Sequence, residues 1–168
     1  MTAPIAIVLG SDSDWATMEK CAAQLDQFGL AYSVAVISAH RTPQSAESFA
    51  DSARDQGVKV IIAAAGMSAA LAGVLASRTT LPVIGVPMTG GALDGLDALM
   101  STVQMPPGVP VACVGIDGAR NAAILAAQIL AVADGALAGK LAEFKKQLAG
   151  EVETRNKALN AKLKDKKA

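Results

Sequence analysis

Five short runs, "IAIVLG", "YSVAVIS", "KVIIAAAG", "LPVIGVPM" and "VACVGID", are rich in Val and Ile and nearly continuous in apolar character. A strand buried on both faces reads this way, whereas a half-exposed one alternates, so each run predicts a parallel strand covered above and below. Between them lie segments whose apolar positions recur at helical spacing, over about Asp14–Phe28, Pro43–Gln56, Ser68–Ser77, Leu93–Val103 and Ala119–Ala133. The alternation predicts a doubly wound α/β three-layer sandwich with a parallel sheet and right-handed crossovers. Folds of this kind bind ligands outside the carboxyl ends of their strands, so the loops that follow strands are the ones to search.

From Lys140 to Ala168 the composition shifts to Lys, Glu, Ala and Leu, which predicts one or two solvated helices with a basic, frayed end. Leu137, Leu141, Phe144 and Leu148 recur at three and four residues and form one apolar stripe. That stripe suits packing on its own domain or across a subunit boundary. With no repeat and no Gly/Ser linker, residues 1–168 are expected to form a single domain, with a core over about 5–133 and a C-terminal helical extension over about 134–168. Val60 to Ser77 is a charge-free run of 18 residues, the lower edge of a membrane span. Gly66 and Gly73 interrupt it and it opens as a β-type segment, so a buried strand turning into a helix is the favoured reading.

Charge and composition narrow the partners. Fifteen Lys and Arg balance fifteen Asp and Glu, so no broad positive field attracts nucleic acid, and aromatics at 3% leave few platforms for base stacking. Cys21 and Cys113 form no CxxC pair and read as buried reduced thiols; no metal site is expected. The start, "MTAPIAIVLGSDSDW", lacks a cationic segment and reaches Asp12 at once, so a cytoplasmic protein without a secretory signal is expected.

Two loops carry candidate chemistry. After the first run, "GSDSDW" places Gly10, which permits close backbone approach, before Ser11 and Ser13, whose hydroxyls sit beside the amino end of a helix. Asp12 and Asp14 repel a phosphate there, and the pattern is neither GxGxxG nor a P-loop. Two readings stand: Ser or Asp caps the helix, or Ser11 takes a phosphate while Asp14 accepts ribose hydroxyls. After the second run, "VISAHRTP" holds the only histidine of the chain. Pro43 suits the first helical turn and Thr42 the cap, which leaves His40 and Arg41 in the loop at the ligand edge. A lone histidine is often a satisfied structural residue. Beside Arg41, whose planar fork suits phosphate or carboxylate, it reads instead as a proton shuttle next to an anchor. Further on, "AAGMSAALAG" can admit a planar ring, Gly90 and Gly91 are flexible enough for a lid, and the double proline of "STVQMPPGVP" fixes an extended approach to the fifth strand.

Taken together, "GSDSD", "SAHRTP", "TTLPVIGVP", "LDALMSTVQMPPGVPV" and "NAAILAAQIL" closely resemble the PurE family, which moves a carboxylate on aminoimidazole ribonucleotide. The resemblance runs from about Ile5 to Ala133. It implies a flavodoxin-like sandwich, a homo-octamer with active sites built from several subunits, a small ribonucleotide substrate, and neither metal nor organic cofactor. Residue by residue it puts Ser11 and Asp14, with Gly10, on the substrate in the first loop. It puts Ser38, Ala39 and Arg41 there in the second, and His40 at the catalytic position. Gly66 begins the third loop, with Met67 and Ser68 beside it. The implied chemistry is mutase-like: the N-carboxylate leaves as carbon dioxide while His40 protonates the nitrogen, and ring carbon 4 then takes up the caged gas.

The third loop departs from the pattern. Most mutases of the family read "GAGGAAHLPG", whereas here Ala70 stands for a histidine and Ala72 for a proline. Ser68 is similar to the related class that carboxylates aminoimidazole ribonucleotide directly from carbon dioxide. That class usually carries Lys where this chain has Arg41, and it lacks "STVQMPPG", so the mutase is the expectation and the direct carboxylase the alternative. A nucleotide-binding module without chemistry has no use for His40. A related carboxylase of nickel-cofactor assembly normally carries an additional amino-terminal region.

Overall fold

The computed structural model describes residues 3–165. Strands β1 (Ile5–Leu9), β2 (Tyr32–Val36), β3 (Val60–Gly66), β4 (Val83–Met88) and β5 (Ala112–Cys113) form one sheet in the order β2-β1-β3-β4-β5. Every pairing is parallel, with Ile5 opposite both Tyr32 and Val60, Ile61 opposite Val83, and Ile84 opposite Ala112. Helices α1 (Trp15–Phe28), α2 (Pro43–Ala53), α3 (Leu71–Arg78) and α4 (Leu96–Val103) fill the four crossovers, and α5 (Ala119–Ala131) follows the last strand. This is the doubly wound sandwich that the alternation of runs predicts, in the flavodoxin-like form that the resemblance implies.

Pleating divides the strands between two cores. Ile5, Ile7 and Leu9 of β1, with Val60 and Ile62 of β3, face Met18, Cys21 and Leu25 of α1 and the alanines of α5. Ala6, Val8, Ile61 and Ala63 face α2 and α3, where Ala46, Ala50 and Leu75 are buried. The buried positions of α2 and α5 are all alanine. Gly85 lies at the tightest contact, for a Cβ there would collide with the methyl of Thr102 on α4. The charge-free run from Val60 to Ser77 is thus split between β3 and α3. No helix among the described residues is long and apolar enough to cross a membrane.

Several expectations need correction. The second strand is not covered on both faces: as an edge strand beside β1 alone it leaves Val34 43% and Val36 56% exposed. β5 is two residues long, because the chain turns at once through Gly115–Gly118, closed by the Gly118 N–H donating to the Gly115 carbonyl at 2.9 Å. Helix α3 starts at Leu71 rather than Ser68, since Met67 has φ +56° and diverts the chain before it can coil. Helix α4 starts at Leu96 rather than Leu93, since Asp94 and Gly95 are also left-handed. Only Cys21 is fully buried, where loss of water pushes its thiol up to about 12; Cys113 is half-buried and pushed up by the same cause.

The chain divides into two compact units, one up to Leu130 and one from Ala131 onward. The second is dominated by α6 (Gly135–Asp165), a single helix of 31 residues whose first turn is tied by Leu137 N–H donating to Asp134 Oδ1 at 3.0 Å. Leu137, Leu141, Phe144 and Leu148, the stripe read from the sequence, are its less exposed positions among those described.

Candidate active site

The carboxyl ends of β1, β2, β3 and β4 surround one cavity of about 450 Å³. It lies where the order of strands reverses between β1 and β3, so the loops after them diverge to opposite faces and leave a crevice.

The first wall is the loop after β1. Gly10 leaves the strand with its N–H donating to the Ala64 carbonyl at 2.8 Å, and a Cβ there would touch that same oxygen at 3.4 Å. Ser11, in extended backbone, caps a 3-10 turn (Asp12–Asp14): its Oγ accepts from Ser13 N–H, while its own N–H donates to Asp14 Oδ2 at 3.1 Å. This reciprocal arrangement is a capping box. The capping reading holds, and the capping groups Ser11 and Asp14 also line the cavity. Burial holds the Asp14 carboxyl above the usual range, against the pull of the Ser11 N–H, and Asp12 and Asp117 add to the rise.

The sign of that effect can be tested. An acid whose folded-state pKa is raised costs stability when ionised; the cost is absent below the unfolded-state value and complete above the folded one. Asp14→Asn keeps an acceptor for Ser11 and is expected to raise Tm at neutral pH by about 2 °C, given the group's partial exposure. The gain should shrink as the pH falls toward about 4. A gain independent of pH in thermal melts contradicts the electrostatic cause.

The second wall follows β2. Ile37 N–H donates to the Leu9 carbonyl at 2.8 Å, which carries the chain one step past the strand. Thr42 holds the N-cap position of α2 but makes no side-chain cap; its Oγ1 donates to the Ser38 carbonyl at 2.9 Å and accepts from Ser38 N–H at 3.2 Å. Ser38 Oγ in turn accepts from Arg41 N–H at 3.2 Å. Ser38 and Thr42 thus staple the loop at its base, and His40 stands exposed at the apex. Among the described residues the His40 ring makes no hydrogen bond and Arg41 no ion pair, so both are uncommitted toward the cavity that they line with Ser38 and Ala39.

The third wall follows β3 with Gly66, Met67 and Ser68, and the left-handed Met67 is 62% exposed. Ala70 lines the same wall, while Ala72 is buried in the first turn of α3. The fourth wall is Thr89–Gly91 after β4, where the sequence marks only the two glycines, as flexible enough for a lid. Its tether is Asp117, whose two oxygens accept from the N–H and the hydroxyl of Thr89. No sequence signal joins residues 28 positions apart on separate loops. Every site residue expected from the sequence, namely Gly10, Ser11, Asp14, Ser38 to Arg41 and Gly66 to Ser68, reaches this cavity. No group of three or more His, Cys, Asp or Glu among the described residues is placed to hold a metal.

Fold and cavity together define a flavodoxin-like protein with a cavity at its strand ends, lined by one imidazole and by a guanidinium that makes no ion pair among the described residues. The family model described as AIR carboxylase matches residues 4–151, and the chain belongs to that family. It is 48% identical over 155 residues to an N5-carboxyaminoimidazole ribonucleotide mutase of Pyrococcus horikoshii, covering 92% of this chain and 88% of the relative. A mutase of the same name from Thermotoga maritima is 49% identical over 148 residues, with 88% and 86% covered. Among solved structures, Treponema denticola PurE superposes with a TM-score of 0.82 at 30% identity, over 89% of this chain and 94% of that one.

Proposed function

We propose that this chain is an N5-carboxyaminoimidazole ribonucleotide mutase of purine biosynthesis, an isomerase that moves a carboxylate from the exocyclic nitrogen to ring carbon 4. The observation that carries this reading is the meeting of the single histidine, Arg41, which makes no ion pair among the described residues, and the Ser11–Asp14 turn around one cavity. Relatives of that name at 48–50% identity support it. Arg41 and Ser11 anchor the phosphate and Asp14 the ribose hydroxyls, which directs the aminoimidazole toward His40 and the third wall.

The chemistry then needs only one proton carrier. The N–C bond of the carbamate breaks and carbon dioxide leaves as the His40 imidazolium protonates the nitrogen. The electron-rich ring attacks the retained gas through carbon 4, and neutral His40 takes the proton from that carbon, restoring the aromatic ring. Confinement supplies much of the advantage, because the gas is recaptured before it diffuses away. Gly10, Ala39, Gly66, Met67 and Ser68 shape that enclosure.

Direct carboxylation of aminoimidazole ribonucleotide is the competing reading, favoured only by Ser68 and Ala70 in the third wall. Carboxyaminoimidazole ribonucleotide labelled at the carboxylate separates the two. Without added bicarbonate the label should be retained in the 4-carboxy product. Full exchange with dissolved carbon dioxide, or turnover only of aminoimidazole ribonucleotide with bicarbonate, overturns the proposal. The reading includes a cytoplasmic homo-octamer. Exposed Val34 and Val36 on β2, and Leu96, Met100 and Val103 along one side of α4, are apolar surface of the kind subunit contacts cover.

A further inference from the structure

We propose that Asp117, which does not itself line the cavity, is the positioning residue that holds the Thr89–Gly91 wall in place. β5 is too short to pair with the carboxyl end of β4: its ladder stops at Cys113 opposite Gly85, with Val114 N–H still donating to the Gly85 carbonyl at 3.1 Å. Beyond that, Asp117 takes over as a substitute strand. Its N–H donates to the Pro87 carbonyl at 2.9 Å, and its carboxylate accepts from Thr89 N–H at 2.9 Å and from the Thr89 hydroxyl. Asp117 sits at φ +55°, a left-handed conformation that Asp tolerates better than most residues and that turns backbone and carboxylate toward β4 together.

Two glycines follow Thr89 in the wall it holds. Gly90 and Gly91 have φ +157° and +66°, and a Cβ on Gly90 would meet nothing within 4 Å. Such a segment is free to open unless its first residue is tied. Asp117 also lies near enough to Asp14 to contribute to the rise in that acid's pKa, which places the clasp beside the ligand site.

The inference rests on the mutase reading and makes it more specific: the clasped wall retains carbon dioxide between the two half reactions. Asp117→Ala should lower kcat/KM by roughly 10- to 100-fold, the scale of a misplaced active-site element. It should also raise the share of aminoimidazole ribonucleotide released, formed when the carbamate is cleaved and protonated but the gas is lost. Asp117→Asn, which can accept from Thr89 N–H and donate to its hydroxyl oxygen, should recover most of both. Thr89→Val, which deletes only the hydroxyl bond, should shift the product ratio in the same direction by less, and it serves if the alanine variant does not fold.

Amide exchange across residues 89–95 of the ligand-free variants reads the clasp without any turnover, and Asp117→Ala should speed it. If the wild-type chain fails to convert the carbamate, the mutase reading falls while the exchange still reports on the clasp. A lowered Tm with unchanged kcat/KM, product ratio and exchange overturns the positioning role, as does an asparagine variant as impaired as the alanine one.

Discussion

His40→Asn is expected to lower turnover by several orders of magnitude while binding of the ribonucleotide, measured by calorimetry, stays within a few-fold of wild type. General acid–base groups typically contribute about 10²- to 10⁴-fold, and the proposed mechanism assigns one imidazole both the protonation of nitrogen and the deprotonation of carbon. The cavity offers no substitute. Its other ionisable side chains are the Asp14 carboxylate, which accepts from the Ser11 N–H, and the Arg41 guanidinium. Because the His40 ring bonds to nothing among the described residues, its replacement orphans no partner and the fold should melt as before. Retained turnover in the variant would remove His40 from the mechanism.

Arg41→Ala should act on the other kinetic parameter. A charge-assisted contact to phosphate is worth about 1.5 to 3 kcal/mol, so KM should rise roughly 10- to 150-fold with a smaller change in kcat. Arg41→Lys keeps the charge but loses the planar fork and should fall between. The backbone of residue 41 is held by Ser38 Oγ, so the truncation should leave the neighbouring loop in place. Steady-state kinetics with saturating and limiting substrate make the distinction, and a loss confined to kcat contradicts an anchor.

What could be read in advance depended on how local each cause is. Strands β1, β3 and β4 are continuous Val/Ile/Ala runs because helices cover both faces, and that cause is written in the run itself. Ser11, Asp14, His40 and Arg41 were legible because a parallel sheet brings its strand ends to one edge, so position after a strand is already position at the site. The exposure of Val34 and Val36 was not legible, since "YSVAVIS" reads the same whether a helix or nothing lies over it. Met67 is not a residue that advertises a left-handed turn, and the start of α3 was misplaced by three residues for that reason. Thr89 and Asp117 were missed because their link exists only once β4 and β5 lie side by side.

Trp15, the only tryptophan, opens α1 one residue beyond Asp14 and packs partly buried against the Ile5–Leu9 core. All indole emission of the protein therefore originates next to the first wall of the cavity. Filling of the cavity beside that wall is expected to change intrinsic fluorescence, with no label and no coupled assay. Every variant named above keeps the same fluorophore, so a dead enzyme and an empty one can be told apart in a cuvette.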